Sequence, residues 1–241
     1  MALQFSYLPM IRMRLVSELK NMIVSPERKP RRILRGPFKD IVMSLSLRTQ
    51  TQIYIGLFER ETHPFLNRLT KGIATAIDIG AAYGEYTLFF LAKTRATKVL
   101  AFEPDTNLFP YLLENLRLNA LEQSQRLKIS SKLLGASETE REIQLDSFAA
   151  SIQTPCFIKM DVDGAEEQIL KGARAINALS DVRWLIETHS KKLEWICGQI
   201  LMEAGFRTEI IPNALWRIFV PEQRPIEHNR WMAAWKMRDE S

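Results

Sequence analysis

Short apolar segments of strand length alternate with amphipathic segments of helix length along most of this chain. Each strand–helix–strand crossover returns the chain to the same edge of a sheet, so a run of crossovers builds a parallel sheet with helices on both faces. The alternation therefore predicts an open α/β fold. The predicted strands are residues 74–79, 98–102, 127–133, 156–162, 184–188, 206–211 and 230–237, and the predicted helices are residues 59–69, 83–93, 106–118, 165–171 and 191–204.

One domain of this kind accounts for most of the 241 residues. A content of 46% hydrophobic and 25% charged residues is ordinary for a globular protein, and a core of this size needs no disulfide or structural metal. Cys156 and Cys197 lie in unlike contexts without zinc-site spacing, which favours a reducing, cytoplasmic compartment. We predict an extension and linker over residues 1–30 and a single domain over residues 31–241.

The predicted extension has apolar residues at helical spacing between Leu8 and Ile23, which indicates an amphipathic helix. Such a helix can make a peripheral membrane contact, although covering the domain or a substrate cleft is its commoner use. A basic run follows, and we interpret it as a solvated linker rather than a patch for phosphate, anionic lipid or an acidic glycan. It contains no aromatic residue, so we expect no nucleic-acid partner. The run consists of Arg28, Lys29, Arg31, Arg32 and Arg35.

The loop after the first strand of the alternating region is the clearest functional signal. It reads Gly80-Ala81-Ala82-Tyr83-Gly84 and connects a predicted strand to a predicted helix, which is typical of a nucleoside-binding turn. A dinucleotide would require a glycine at Ala82, because the backbone there must approach a pyrophosphate. S-adenosylmethionine has no phosphate and tolerates this alanine. The loop therefore favours S-adenosylmethionine over a nicotinamide dinucleotide.

The residues around this loop fit the other parts of S-adenosylmethionine. Its carboxylate can bind N–H groups at the start of the helix, and Asp78 can hold its ammonium group directly or through water. Glu103 stands about 20 residues beyond the loop, a spacing that suits ribose hydroxyls, although a carboxylate near a helix start is an alternative explanation. Pro104 makes the adjacent turn rigid. The predicted cofactor contacts are Asp78, Gly80, Ala81, Tyr83, Gly84, Glu103 and Pro104.

Several blocks of the sequence resemble the FkbM family of S-adenosylmethionine-dependent methyltransferases, over about residues 32–206. The three main blocks are Asp-Ile-Gly-Ala-Ala-Tyr-Gly-Glu-Tyr-Thr-Leu from Asp78, Ala-Phe-Glu-Pro from Ala101 and Ile-Lys-Met-Asp-Val-Asp-Gly-Ala-Glu from Ile158. Leu-Lys-Gly-Ala from Leu170, Ile-Glu-Thr-His from Ile186 and the upstream segment from Tyr54 to Glu59 extend the match. The third main block is the most specific, because a generic methyltransferase would not be expected to contain it.

The resemblance implies a Rossmann-like class I methyltransferase fold and, commonly, O-methylation of a sugar or another small-molecule hydroxyl. Compact relatives include nodulation enzymes that 2-O-methylate fucose on lipochitooligosaccharides, so a glycan or glycolipid acceptor is expected. The chain departs from the family pattern where Ala82 replaces the usual Asn, where Asp163 replaces the usual Glu, and where residues 133–146 form a short connection. Aromatic residues near the C-terminus can stack on a sugar, although core packing is the commoner explanation. They are Trp216, Trp231 and Trp235.

A sugar hydroxyl is a poor nucleophile, so a base should receive its proton during methyl transfer. Asp161 follows an apolar strand and faces the expected methyl site, which makes it the first candidate. Lys159, Glu187 and His189 are the other predicted catalytic residues. Lys159 and Glu187 have a structural alternative, because they can pair across adjacent strand ends.

A metal site is a further alternative for part of this group. Asp161, Glu187 and His189 are residue types that can hold a divalent ion such as Mg²⁺, but their spacing does not require one and we predict no metal. Asp163 and Glu166 lie at the start of a predicted helix and can act as its capping groups. Three other functions stay open, namely a nicotinamide-dependent oxidoreductase, a nucleic-acid methyltransferase and a binding module without activity.

Overall fold

The computed structural model describes residues 24–213 and 228–236. The predicted N-terminal helix and Trp216 lie outside the described residues. The strands are β1 (Lys29–Arg32), β2 (Val42–Leu45), β3 (Thr75–Ile79), β4 (Lys98–Phe102), β5 (Leu127–Ser130), β6 (Leu133–Leu134), β7 (Glu142–Ile143), β8 (Cys156–Met160), β9 (Val182–Thr188), β10 (Arg207–Ile211) and β11 (Arg230–Trp235). The α-helices are α1 (Thr51–Ile55), α2 (His63–Leu69), α3 (Glu85–Lys93), α4 (Phe109–Leu118), α5 (Glu166–Lys171), α6 (Arg174–Ala178) and α7 (Lys191–Glu203).

Seven strands form one mixed sheet in the order β10-β11-β9-β8-β3-β4-β5. The strands from β9 to β5 run parallel, whereas β11 lies antiparallel between β9 and β10. The chain leaves β3 towards β4 on one side and later returns to β8 on the other side. The topological switch point, where open α/β sheets bind ligands, therefore lies between β3 and β8. The predicted open and mostly parallel α/β fold is confirmed.

The central strands are buried on both faces, which explains their nearly continuous apolar sequences. Every residue of β3 and β8 is buried. One face of the sheet packs against α2, α3 and α4, and the other face packs against α5, α6 and α7. Trp231 is fully buried on the first of these faces, and its ring centre lies 6.4 Å from that of Tyr86, so core packing explains this tryptophan. Among the described residues, no helix is long and apolar enough to cross a bilayer.

The segment that we interpreted as a basic linker is part of a β-hairpin. β1 pairs antiparallel with β2, and two amide side chains of α4 hold β2 in place. Asn115 Oδ1 accepts a hydrogen bond from the N–H of Ser44 at 2.8 Å, and Asn119 Oδ1 accepts one from the N–H of Val42 at 3.0 Å. The linker interpretation is therefore wrong for residues 29–32, because the hairpin is bonded to the domain.

Besides the β1–β2 hairpin, the described elements missing from the sequence predictions are all short: α1, α6, β7 and a 3-10 helix over Leu145–Ser151. Elements of this length have little periodicity of their own and depend on tertiary contacts. At α6, for example, the Asp146 carboxylate accepts hydrogen bonds from the N–H groups of Ala175 and Ile176 at 2.9 and 3.0 Å. The predicted strand over residues 127–133 is divided, with β5 ending at Ser130 and β6 beginning at Leu133.

Candidate active site

The switch point brings the loop after β3 against the segment after β8. Gly80, in this loop, has a φ of 75°, and a Cβ atom there would lie 1.9 Å from the carbonyl oxygen of Asp161. No side chain fits at such a distance, so the close approach of the two segments requires glycine at this position. The predicted cofactor loop and the first candidate base therefore lie in direct contact.

The same loop contains two further residues with positive φ, Ala82 at 46° and Gly84 at 90°. Gly84 is the N-cap of α3, and a Cβ atom there would lie 2.4 Å from Leu112 Cδ1, so this glycine permits close packing of α3 and α4. Ala82 lacks the side-chain amide that makes asparagine tolerant of this left-handed backbone. The alanine at position 82 therefore stands where the backbone conformation favours asparagine or glycine.

Glu103 connects the loops after β3 and β4. The side chain is buried, with 5% of the residue exposed. Its Oε2 accepts a hydrogen bond from the N–H of Ala82 at 2.7 Å, and its Oε1 accepts one from the N–H of Asp105 at 2.8 Å. α4 begins only at Phe109, so the alternative role of Glu103 as a helix-start carboxylate is not supported. Each carboxylate oxygen has two lone pairs, so Glu103 can still accept bonds from ribose hydroxyls. Pro104 is exposed beside it.

The other predicted cofactor residues differ in what they can offer. The N–H groups of Gly80 and Ala81 donate to the carbonyl of Phe102 at 2.9 and 3.0 Å, so they are already used within the fold. The guanidinium of Arg28 lies 4.7 Å from the centres of both the Tyr83 and the Tyr111 rings, a cation–π arrangement. Tyr83 therefore connects the cofactor loop to the N-terminal hairpin.

Asp78 and Lys159 form a buried ion pair beneath the loop. Asp78 Oδ2 accepts a hydrogen bond from the Thr87 hydroxyl at 2.6 Å, and its Oδ1 lies 3.4 Å from Lys159 Nζ. Lys159 Nζ also donates to the carbonyl of Gly80 at 2.7 Å. Burial lowers the pKa of Lys159, but the charge of Asp78 and of other nearby carboxylates raises it further, so the net shift is upward. A protonated lysine cannot accept a proton, so Lys159 is better suited to orient groups than to act as a base.

Two buried glutamates near this pair were not among the predicted site residues. Glu59 is 8% exposed and accepts a hydrogen bond from the Tyr86 hydroxyl at 2.5 Å. Burial, assisted by the charge of Asp161, raises the pKa of Glu59 to about 8. Burial also raises the pKa of Glu85 to about 7. The resemblance of the segment from Tyr54 to Glu59 to a family segment was the signal in the sequence that could have found Glu59.

On the β9 side of the switch point, three of the predicted catalytic residues come together around one imidazole. His189 Nε2 lies 3.6 Å from Asp161 Oδ1 and 3.6 Å from Glu187 Oε2. Asp163 Oδ1 lies 3.7 Å from the same nitrogen. Burial lowers the pKa of His189, but its hydrogen bond to Glu166 and the surrounding carboxylates raise it more, so the net shift is upward.

Glu166 holds this imidazole from its other side. Glu166 Oε1 lies 2.7 Å from His189 Nδ1, and the side chain is fully buried. α5 has Ala165 as its N-cap and no side-chain capping bond, so the predicted capping role of Glu166 is wrong. Glu166 instead fixes the ring of His189, a role that the sequence could not reveal because the two residues belong to different elements.

Together, these contacts divide the carboxyl edge of the sheet into two adjoining parts. A glycine turn with a buried carboxylate, Glu103, suits a nucleoside with free ribose hydroxyls. Asp78 Oδ1 lies 3.4 Å from Lys159 Nζ and makes no closer hydrogen bond within the described part of the chain, so an ammonium group at this oxygen would share it with Lys159. Beside this region, a cluster of carboxylates and an imidazole, the Asp161–His189 cluster, can orient a hydroxyl and take up its proton. The cluster comprises Asp161, Asp163, Glu187 and His189, with Glu166 behind the imidazole.

Comparison with known proteins gives one family match, to the Methyltransferase FkbM domain over residues 78–213. Among solved structures, the methyltransferase FkbM from Methylobacillus flagellatus KT is 20% identical with a TM-score of 0.53, and the alignment covers 67% of this chain and 43% of that protein. An rRNA methylase from Streptococcus thermophilus is 11% identical with a TM-score of 0.52, covering 75% of this chain and 98% of the other. The delta-N METTL16 MTase domain is 15% identical with a TM-score of 0.52, covering 96% and 97%.

These structural likenesses confirm the predicted class I methyltransferase fold. The chain spans less than half the length of the Methylobacillus protein. Comparison with curated proteins gives no match.

Proposed function

The chain belongs to the FkbM family of S-adenosylmethionine-dependent methyltransferases, and from that premise we propose that it methylates a hydroxyl group on a sugar of a glycan or glycolipid. The observation that carries this proposal is the contact between Gly80 and Asp161. A methyl donor bound at the cofactor loop would lie beside the Asp161–His189 cluster, which is rich in groups that accept protons. A hydroxyl acceptor needs such a group, because its oxygen is a poor nucleophile while protonated.

The residues of the chain fit separate tasks in such a transfer. S-adenosylmethionine supplies a methyl group on a positively charged sulfur, which an oxygen can attack in line. Glu103 would hold the ribose, and Asp78 would hold the ammonium group directly or through water. Asp161 would orient the acceptor hydroxyl and receive its proton as the oxygen–carbon bond forms and the sulfur–carbon bond breaks. Exclusion of water and correct orientation supply most of the rate gain in a reaction of this type.

The second part of the proposal concerns which molecule receives the methyl group. Sugar O-methylation is common in this family, and the fucose of a lipochitooligosaccharide is the candidate that the resemblance implies. The carboxylates of the Asp161–His189 cluster are suited to hydrogen bonds with a polyhydroxylated acceptor. They would repel the phosphates of RNA or DNA, so the cluster favours a glycan over a nucleic acid.

Binding of S-adenosylhomocysteine, measured by calorimetry, tests the cofactor half of the proposal. We expect binding by the full-length chain, and we expect Glu103→Ala to weaken it about tenfold, because two ribose hydroxyls lose a charged acceptor. Asp161→Ala serves as the matched control, since it should leave this affinity within about twofold and mainly lower turnover. Absence of binding by well-folded protein would contradict the proposal.

Mass spectrometry of a glycan pool incubated with enzyme and S-adenosylmethionine tests the acceptor half. The pool should include fucosylated lipochitooligosaccharide, and the expected product is a gain of one methyl group on a sugar residue. Methyl transfer to RNA or DNA in parallel reactions, with none to the glycans, would overturn the sugar assignment. A thermal-shift comparison with nicotinamide cofactors completes the test, because stabilisation by these alone would point to an oxidoreductase.

A further inference from the structure

We propose that Asp161, Glu187 and His189 bind a divalent cation, with Mn²⁺ or Mg²⁺ as the fitting ions. One ligand atom from each of these residues lies within 4.8 Å of the others. The site stands on this geometry alone, whereas its role in methyl transfer rests on the proposed function. A bound ion would hold hydroxyls of the acceptor beside the cofactor loop.

The strand register places these three side chains together. β8 and β9 are parallel neighbours, with Met160 opposite Ile186, so the next residue on each strand, Asp161 and Glu187, meets the other at the carboxyl edge. His189 follows Glu187 by two residues and therefore lies on the same side of the extended chain. Glu187 lies in β9, and Asp161 and His189 directly follow the ends of β8 and β9, so all three ligands are held at the carboxyl edge of the sheet.

The distances around the imidazole are too long for ordinary hydrogen bonds and leave room for an ion. The separations of 3.6 Å from His189 Nε2 to oxygens of Asp161 and Glu187 are longer than an ordinary hydrogen bond of about 2.7–3.2 Å. Two atoms bound to one Mg²⁺ or Mn²⁺ at about 2.1 Å lie about 3 Å apart when adjacent and about 4 Å apart when opposite. Small movements of the side chains from the 3.6 Å separations would bring both oxygens and Nε2 into adjacent ligand positions.

The second nitrogen of the imidazole provides an independent indication. His189 Nδ1 lies 2.7 Å from the fully buried carboxylate of Glu166, so it carries the proton of that hydrogen bond. An ion that displaced the proton of Nε2 would find this nitrogen as a lone-pair donor between Asp161 and Glu187. Histidines that bind metals usually donate their other N–H group to a carboxylate or carbonyl in this way.

Charge also favours a cation at this place. Asp161, Asp163 and Glu187 face the imidazole within 3.7 Å, and Glu166 lies behind it. The neighbouring ammonium of Lys159 is engaged with Asp78. Two carboxylates with one imidazole suit Mn²⁺ and Mg²⁺, and three protein ligands leave positions for a pair of sugar hydroxyls. A hydroxyl bound to such an ion would lose its proton more readily, and a carboxylate of the Asp161–His189 cluster would take that proton up.

Titration of metal-free, full-length protein with Mn²⁺ tests the site directly, with the free ion measured by electron paramagnetic resonance. We expect one Mn²⁺ per chain and competition by Mg²⁺. Glu187→Gln should lower the Mn²⁺ affinity at least tenfold, and Asp161→Asn, at a more exposed position, should do the same if Glu187→Gln folds poorly. Glu167→Gln is the matched control, because this carboxylate lies one residue from Glu166 but pairs with Lys171 on the outer side of α5.

The outcomes separate the cation proposal from the proposed function. Stoichiometric Mn²⁺ binding that is weakened by Glu187→Gln and unaffected by Glu167→Gln would support the site. No binding, or equal binding by all variants, would overturn it and leave a protonated His189 paired with its carboxylates. Methyl transfer that continues at full rate in a chelator would also overturn the role of the ion while leaving the methyltransferase assignment intact. Mn²⁺ binding by a protein that does not bind S-adenosylhomocysteine would support the cation site and contradict the proposed function.

Discussion

The backbone of Ala82 has a physical cost that the family's usual asparagine would reduce. Its φ of 46° lies in the left-handed region, which costs an ordinary residue about 1–2 kcal/mol and which asparagine adopts more readily. The N–H of Ala82 also donates to Glu103, so the strained residue supports the carboxylate expected to bind ribose. An asparagine at this position would therefore ease the backbone conformation in addition to any polar contact that it makes.

We expect Ala82→Asn to raise the free energy of unfolding by about 0.5–1 kcal/mol, measured by urea denaturation, because it relieves part of this cost. Ala120→Asn is the matched control, since Ala120 has a φ of 55° in the turn after α4 and lies outside the cofactor loop. Both variants should gain stability, and only Ala82→Asn should change the affinity for S-adenosylhomocysteine. Loss of stability in Ala82→Asn would contradict this account of the backbone.

At the scale of elements, α4 connects the N-terminal hairpin to the cofactor loop through one buried side chain. Asn115 accepts a hydrogen bond from the N–H of Ser44 in β2 at 2.8 Å and donates one to the carbonyl of Tyr83 at 2.8 Å. Asn119, one turn later, binds both the N–H and the carbonyl of Val42 but does not reach the loop. The two asparagines therefore anchor the same hairpin, and only Asn115 also supports the loop.

Asn115→Ala should lower the free energy of unfolding by about 2–4 kcal/mol, because it leaves a buried N–H and a buried carbonyl without their partners. It should also weaken binding of S-adenosylhomocysteine, because Tyr83 loses its anchor. Asn119→Ala should lower stability to a similar or smaller extent and leave that binding unchanged. Urea denaturation and calorimetry on both variants provide the comparison, and equal effects on binding would show that α4 does not couple hairpin and loop.

The sequence predicted the long elements well because their signals are local. β3 and β8 are apolar runs buried on both faces, and their predicted ends agree with the structure to within two residues. The same strand ends predicted that Asp161 and Glu187 would lie close together. Glu59 and Glu166 escaped prediction because their roles depend on contacts with Tyr86 and His189, which are distant in the chain and meet only in the folded protein.

At the scale of the whole molecule, the site places several acidic groups inside a core that otherwise excludes charge. Glu59 and Glu85 are 8% and 7% exposed, and Asp78 is fully buried. Burial raises the pKa of all three, while Lys159 offsets part of this shift by its charge. The fold therefore holds protons at neutral pH that the unfolded chain would release, and its stability must depend on pH.

The direction of this dependence follows from the pKa shifts. The pKa of Glu59 rises from 4.5 to about 8 and that of Glu85 rises from 4.5 to about 7, so the folded state binds more protons than the unfolded state between these values. The stabilisation is fully present below pH 4.5 and is lost as the pH rises through 7 and 8. We expect the free energy of unfolding to fall by at least about 2 kcal/mol between pH 5 and pH 9, measured by urea denaturation in a chelator. Glu59→Gln should make the free energy of unfolding depend less on pH, because glutamine keeps the contact with Tyr86 without a titrating proton. A wild-type stability that stays constant over this range would show that neither glutamate is held protonated in the fold.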